Sequence, residues 1–221
     1  MFKTGDVVKI DCGAHLDGYV GDTAGTVEVG TKTYRNLIEA SKLARDTVAE
    51  IIGTGTLIGE IGRVVEMTIH QKGFKPVMNL SGHQIKPYNL HSGVSIPSYN
   101  DNNTNRLVPG MVIAVEPFAT NGAGMVMNGP PGNIVRIIRE RKLNDPKTQE
   151  FFEYVKNEFR TFPFCARSCD FPDAEKYVKD LLRHGVVSGY AQLIDAKKGI
   201  VSQSEHTFFI TGERAEVTTL P

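Results

Sequence analysis

The chain has 221 residues, of which 40% are hydrophobic and 23% charged, an ordinary composition for a soluble globular protein. Its 25 basic and 25 acidic residues balance, so net charge gives no general attraction to nucleic acid or to an anionic membrane. No apolar run approaches the roughly 20 residues needed to span a bilayer, and the start of the chain has no signal-peptide core. Three dispersed cysteines exclude a disulfide framework and are typical of a reducing compartment, so we expect a cytoplasmic protein.

The first part of the chain predicts a β-hairpin followed by two helices. Strands are expected over Asp6–Asp11 and Tyr19–Val29, with a glycine-rich turn between them. The spacing of apolar residues then predicts α-helices over 33–52 and 57–70. The inward face of the first helix is predicted to carry Leu37, Ala40, Ala44, Val48, Ile51 and Ile52.

The composition changes after about residue 134, where two further helices are predicted. The first begins at Pro146, after a cap at Asn144 or Asp145. The second is expected to be capped by Asp173 and ended by Gly185.

A two-stranded wing is predicted to follow these helices, between Ala191 and Ile210. Helix, helix and wing together predict a winged-helix-like subdomain over 135–195. We expect it to be inserted into a larger α+β domain formed by 1–134 and 196–221.

Carboxylates occur where the apolar strands predict burial. Asp11 and Glu116 each end such a strand, Asp22 lies in the neighbouring hairpin strand, and Glu205 lies in another apolar segment. A buried carboxylate is costly unless it is paired, protonated or bound to a cation. Lys9 is the one basic residue within these strands and cannot balance four acids. The shortage of basic partners indicates metal cations.

His83, in the segment SGHQI, could complete a ligand set with these acids. One imidazole with several carboxylates suits Mn, Fe, Co or Zn and does not select among them. Taken singly, each residue has an ordinary alternative: an Asp in a hairpin is usually a turn or capping residue, and a His in a glycine-flanked loop is usually only exposed. Spacing alone therefore leaves two interpretations, a metal site or a set of unrelated turn, capping and exposed residues.

Four stretches of the sequence resemble the pita-bread metallopeptidases: KIDCGAHLDGYVGDTA, NLSGHQIKPYNLHSG, PGMVIAVEPFAT and SQSEHTFFI. Members of that family hold two divalent ions with two Asp, one His and two Glu, in this chain order. The resemblance implies an α+β pita-bread (creatinase/aminopeptidase) fold. It also implies, residue by residue, the metal ligands Asp11, Asp22, His83, Glu116 and Glu205.

A long insertion separates the two glutamates of this pattern, because 88 residues lie between Glu116 and Glu205. Together with the second histidine of GHQIKPYNLHSG, His91, the insertion resembles the type 2 methionine aminopeptidases, in an archaeal-like form. Removal of the initiator methionine from nascent proteins is the activity implied. The alternatives are a peptidase like prolidase or aminopeptidase P, and a non-catalytic pita-bread protein that binds the ribosome or RNA.

The resemblance also implies a mechanism. Two divalent ions (Co, Mn, Fe or Zn) would hold a bridging water or hydroxide, which would act as the nucleophile. Asp22 and Glu205 would bridge the ions, Asp11 would bind one ion through both oxygens, and His83 and Glu116 would bind the other. Glu116 would also carry the proton.

Substrate contacts are implied at four positions. His91 would donate a hydrogen bond near the scissile bond, and Leu90, Phe118 and Tyr190 would line the methionine pocket. The expected partner is the N-terminal methionine of nascent polypeptides, with ribosome association left open, and the protein is expected to be monomeric. With 13 basic and 10 acidic residues over 135–199, the insert does not predict specific nucleic-acid binding.

The family pattern normally continues ahead of the strand that bears Asp11, with helices, a strand and a further substrate-contacting histidine. In this sequence that strand begins almost at Met1. A truncated chain and a degenerate gene are the two explanations, and intact ligands favour truncation. We expect the chain as printed to keep its ligand set and to be a poor or inactive aminopeptidase.

Overall fold

Helices and strands are mixed along the chain, and the computed structural model describes them over residues 1–220. The helices are α1 (Arg35–Ile51), α2 (Ile58–Gln71), α3 (Pro146–Phe159) and α4 (Ala174–His184). The first seven strands are β1 (Val7–Leu16), β2 (Tyr19–Glu28), β3 (Lys75–Pro76), β4 (Ser81–Lys86), β5 (Asn89–Pro97), β6 (Val112–Val115) and β7 (Phe118–Thr120). The others are β8 (Val126–Ile137), β9 (Phe164–Cys165), β10 (Val187–Asp195), β11 (Val201–Gln203), β12 (His206–Ile210) and β13 (Ala215–Val217).

The chain divides into two units. Unit 1 consists of Met1–Met127 together with the chain from Ile194 onward, and unit 2 is Asn128–Leu193. In unit 1 the largest sheet has the strand order β13-β12-β6-β4-β5, a second has the order β11-β7-β3, and β1 and β2 form a hairpin. The predicted insert, 135–195, starts later in the chain than unit 2 does, because the composition changes only part of the way along β8.

Helices α1 and α2 supply much of the core of unit 1. The helical spacing puts Leu37, Ala44 and Val48 of α1 in a cluster with Ile61 and Ile113, all of them buried. Ile51 was expected on this face, but its side chain is 39% exposed at the end of the helix. Burial of such apolar side chains stabilises the fold by roughly 1.5–3 kcal/mol each.

The hairpin of β1 and β2 turns through two residues with positive φ, Asp17 (51°) and Gly18 (89°). Its first strand is more exposed than the sequence predicted. Ile10 and Leu16 of β1 are 58% and 78% exposed, and Asp11 is exposed as well. The expectation that Asp11 is buried is therefore wrong. The reason is that β1 pairs only with β2 among residues 1–220 and lies at an edge.

Unit 2 contains α3 and α4 and a three-stranded sheet of order β10-β8-β9. The start of α3 agrees with the sequence, because Pro146 opens the helix and the Asp145 carboxylate accepts a hydrogen bond from the Thr148 amide at 2.7 Å. Asp173 precedes α4 but its side chain makes no capping hydrogen bond, so that predicted cap is wrong. Its left-handed backbone (φ 56°) is the physical reason, since N-cap residues normally adopt extended angles.

The predicted wing is also wrong in its pairing. Strands form on either side of Lys197–Gly199, but β10 is hydrogen-bonded to β8 whereas β11 is hydrogen-bonded to β7. The two strands thus belong to different sheets and do not form a hairpin. None of the helices described over residues 1–220 is both long and apolar enough to cross a lipid bilayer.

Candidate metal centre

The hairpin brings two aspartates to one face. In its antiparallel register, Asp11 of β1 lies opposite Ala24 of β2, and Asp22 lies two residues before Ala24. Cross-strand partners share a face of the sheet, and so do residues two apart on a strand. The side chains of Asp11 and Asp22 therefore project to the same side.

The remaining acids and the histidine come from the central strands of unit 1. His83 of β4 lies opposite Ala114 of β6, and Glu116 follows two residues after Ala114, just beyond the end of β6. Glu205 lies directly before β12 and forms an isolated bridge with Ala24 of the hairpin. Five side chains from distant parts of the chain are thus directed to one place.

The distances place all five in one cluster. His83 Nε2 lies 3.9 Å from Asp22 Oδ2 and 3.7 Å from Glu116 Oε1. Asp22, His83 and Glu205 each offer one ligand atom, and these three atoms lie within 4.8 Å of one another. Asp11 is joined to the cluster through the Gln203 amide, which donates to Asp11 Oδ2 at 2.9 Å and to Glu116 Oε2 at 3.3 Å.

Burial and crowding of like charges shift the ionisation of this cluster. Burial, with a contribution from Asp11, raises the pKa of Asp22 to about 6. The same causes, burial first and neighbouring carboxylates second, raise the pKa of both Glu116 and Glu205. Burial and the proximity of His91 lower the pKa of His83 to about 4, so its imidazole is neutral at pH 7. A neutral imidazole is the form that binds metal.

The charge, burial and donor atoms of the cluster suit divalent cations. Glu205 is 1% exposed, and its Oε1 has no hydrogen-bond partner among the described residues. Over residues 1–220, the ion pairs recorded for the cluster involve His83, and neither Lys nor Arg takes part in them. Four ionised carboxylates carry four negative charges, which two divalent ions would balance. Carboxylate and imidazole donors also suit Mn, Fe, Co and Zn.

His91 and Leu90 are neighbours on β5. His91 is exposed, and its ring centroid lies 4.3 Å from that of His83 in an edge-on arrangement. Leu90 is half-buried. The structure thus brings His91 against one of the five candidate ligands, where its side chain is accessible to a peptide.

The other two predicted pocket residues are less informative. Phe118 is buried at the start of β7 and packs with Val77 and Val126, which is ordinary core packing. Tyr190 is half-buried on β10 and belongs to unit 2. Their contacts with substrate remain predictions.

Gln203 is a site residue that the sequence reasoning missed. Its side chain is 3% exposed and is the hydrogen-bond link between Asp11 and Glu116. Alternation could have identified it, because Gln203 and Thr207 stand two residues before and after Glu205 in the segment QSEHT and share its face in an extended strand.

Comparison with known proteins gives consistent matches over the whole chain. Residues 1–141 match "Metallopeptidase family M24". The methionine aminopeptidase of Methanocaldococcus jannaschii is 38% identical over 219 residues, which is 99% of this chain and 74% of that protein. The solved methionine aminopeptidase of Thermotoga maritima superposes with a TM-score of 0.68 at 21% identity, covering 100% of this chain and 66% of its own. A thermophilic Arx1 gives 0.76 at 20% identity, covering 95% and 65%.

Proposed function

The chain belongs to metallopeptidase family M24, among its methionine aminopeptidases, and we propose that its carboxylate–imidazole cluster holds the divalent ions on which removal of N-terminal methionine depends. The observation that carries the proposal is the meeting of four acids and a neutral imidazole. The cluster is partly buried, and among residues 1–220 neither Lys nor Arg forms an ion pair with it. The residues that would hold two ions are Asp11, Asp22, His83, Glu116 and Glu205.

When bound, divalent ions in such a site lower the pKa of water and polarise the substrate carbonyl. The protein supplies the other requirements. The backbone amides of Asp22 and Glu205 are hydrogen-bonded across facing segments, so the positions from which their carboxylates project are held without a bound ligand. The Gln203 amide orients one oxygen each of Asp11 and Glu116. Preorganisation of this kind removes the need to order the side chains during the reaction.

Glu116 is the residue that we propose to move the proton. Its carboxylate takes a proton from the attacking water and delivers it to the leaving amine. In the metal-free protein, burial and the nearby Asp11 and Asp22 raise the pKa of Glu116. An ionised carboxylate at this position can accept a proton and pass it on. Oε2 is engaged by Gln203, whereas Oε1 faces His83 at 3.7 Å.

His91 is the proposed substrate contact. It is exposed on β5 beside His83, where it can donate a hydrogen bond to the carbonyl of the first peptide unit. Leu90, next to it, is the proposed wall of the methionine pocket, together with Phe118, and a substrate contact of Tyr190 stays a prediction. Ribosome association remains a prediction, since the likeness to Arx1 concerns the fold alone. A cytoplasmic location and the identity of the metal remain predictions as well.

Metal-dependent peptide hydrolysis tests this assignment. The protein is stripped with EDTA, reloaded with Mn²⁺ or Co²⁺, and assayed on Met-Gly and Xaa-Pro peptides beside Asp22→Asn and Glu205→Gln. Exposed Glu39 of α1 provides a charge-matched control, Glu39→Gln. We expect slow but metal-dependent release of methionine from the chain as printed, which both cluster variants lose and the control retains. Retention of activity and metal by the cluster variants would contradict the proposal, and preference for Xaa-Pro peptides would contradict the substrate assignment.

A further inference from the structure

The two facing segments that carry Asp22 and Glu205 are joined in an unusual way. Over residues 1–220, Ala24–Glu205 is the isolated backbone bridge recorded between β2 and the segment 203–207. There the Glu205 amide donates to the Ala24 carbonyl at 2.9 Å. The Glu205 carbonyl accepts from Thr23 Oγ1 at 3.0 Å. Both backbone groups of Glu205 are therefore tied to the hairpin.

On each side of this bridge, a threonine hydroxyl takes the place of a backbone pair. Thr207 Oγ1 accepts from the Asp22 amide and donates to the Asp22 carbonyl, both at 2.8 Å. Thr26 Oγ1 does the same to the amide and carbonyl of Gln203, again at 2.8 Å. A hydroxyl has one donor and two acceptor positions, so each threonine satisfies both groups of the residue opposite. We call these contacts, from 22–26 to 203–207, the hydroxyl seam.

The seam changes how closely the two backbones must approach. In a direct ladder, neighbouring strands lie about 4.8 Å apart. Where a side-chain hydroxyl bridges them, the partner backbones need not come that close. Thr207 could not pair directly in any case, because its amide donates to Thr219 Oγ1 at 3.1 Å and its carbonyl accepts from the Thr218 amide at 2.9 Å.

We propose that Thr26 and Thr207 are positioning residues, which set the separation of the Asp22 and Glu205 carboxylates and so keep the space for divalent ions between them. This inference rests on the proposed metal centre. Both threonines are buried, at 8% and 0% exposure, so water does not compete for these hydrogen bonds. Thr207 acts on Asp22 directly, and Thr26 acts on Glu205 through Gln203, two residues away.

Valine substitution tests the proposal, because valine keeps the shape of threonine and removes the hydroxyl. Thr207→Val and Thr26→Val are compared with Thr68→Val, a matched control in which a buried hydroxyl donates to Val64 O at 2.8 Å within α2. Calorimetric titration of the metal-free protein with Mn²⁺ gives the affinity, and thermal unfolding in EDTA gives the stability.

We expect each seam variant to bind Mn²⁺ about 10–100-fold more weakly, the range typical of residues that orient metal ligands. Thr207→Ser and Thr26→Ser keep the hydroxyl and should restore most of the affinity, and Thr68→Val should bind like the wild type. If the threonines had a purely structural role, their valine variants would lose thermal stability and keep the Mn²⁺ affinity of the wild type, and that result would overturn the proposal.

Amide hydrogen exchange on the wild-type protein gives an independent readout if a valine variant fails to fold. The amides of Asp22 and Gln203 should be protected to a degree similar to that of Glu205, although they donate to hydroxyls. Exchange as fast as in an open loop would refute the seam. If the wild-type protein binds no Mn²⁺ or Co²⁺, the metal centre itself is refuted, and amide protection then still decides whether the seam exists.

Discussion

Replacing Asp22 by asparagine should stabilise the metal-free protein. The Asp22 side chain is 11% exposed, and burial together with Asp11 raises its pKa from 3.8 to about 6. At pH 8 the carboxylate is ionised in the folded and the unfolded protein, so the folded state bears the full penalty of the shift. That shift corresponds to about 3 kcal/mol, at about 1.4 kcal/mol per pKa unit. Asparagine has the same shape and no charge, so it relieves this penalty.

Thermal unfolding at pH 8, with EDTA and with Mn²⁺, measures the effect. A gain of about 3 kcal/mol would raise the melting temperature by about 6–12 °C in a chain of this size. With Mn²⁺ the order should reverse, because the wild type gains stability from bound ions and Asp22→Asn loses a ligand. Glu39→Gln should change neither measurement. The electrostatic account of the cluster is wrong if Asp22→Asn melts at a lower temperature than the wild type in EDTA. It is also wrong if Mn²⁺ raises the melting temperature of Asp22→Asn as much as that of the wild type.

Further predictions follow from other residues of unit 1. Glu116→Gln should lower kcat about 10²–10⁴-fold with little change in KM, and near-normal turnover at full metal occupancy would refute its role as proton carrier. Gln203→Leu should weaken Mn²⁺ binding by about 10–100-fold, since two carboxylates lose their orienting donor, and unchanged affinity in calorimetry would argue against that role. In EDTA, stability should fall as the pH rises from 6.5 to 8, because the raised pKa values of Glu116 and Glu205 leave the folded state holding protons that the unfolded state has released. His83 offsets little of this fall, since most of its opposite contribution is made below its ordinary pKa of 6.5, and a rise in the denaturant midpoint over this interval would contradict the argument. At high protein concentration, where an exposed apolar edge strand promotes aggregation, Ile10→Lys should lower the particle size measured by light scattering, and an unchanged particle size would show that the edge of β1 does not drive aggregation.

Much of the fold could be predicted from local patterns. The face of α2 carrying Ile58, Ile61 and Ile69 follows from helical spacing, and these residues are buried. The α+β pita-bread fold and the methionine aminopeptidase family, predicted from the motifs, are confirmed by the comparisons. These features succeed because they depend on neighbours in the sequence or on short motifs.

Features that depend on distant partners could not be predicted in the same way. The exposure of Asp11 reflects the absence, among the described residues, of a strand beside the outer edge of β1, which alternation cannot reveal. The separation of β10 and β11 into two sheets depends on β8 and β7, which lie far away in sequence. The wing was predicted from proximity in the chain, and proximity alone does not determine pairing.

The candidate site shows the same division. The family motifs assigned four acids and a histidine as candidate ligands, whereas the strand pattern alone left the metal site as one of two interpretations; the structure brings the five side chains together. Strand alternation puts Gln203 and Thr207 on the face of Glu205, but it does not reveal their role, since an amide or hydroxyl in a strand is common. Their importance became visible only through contacts to Asp11 and Asp22 across more than 180 residues of chain.

Anomalous diffraction from crystals soaked in Co²⁺ or Mn²⁺ tests the central claim most directly. The five-residue cluster should show two peaks roughly 3.5–4 Å apart, the separation usual in two-metal hydrolytic sites. One peak should lie between Asp22 and Glu205 on the side of Asp11, and the other on the side of His83 and Glu116. Strong peaks elsewhere with none in the cluster, at metal concentrations that support methionine release, would contradict the assignment.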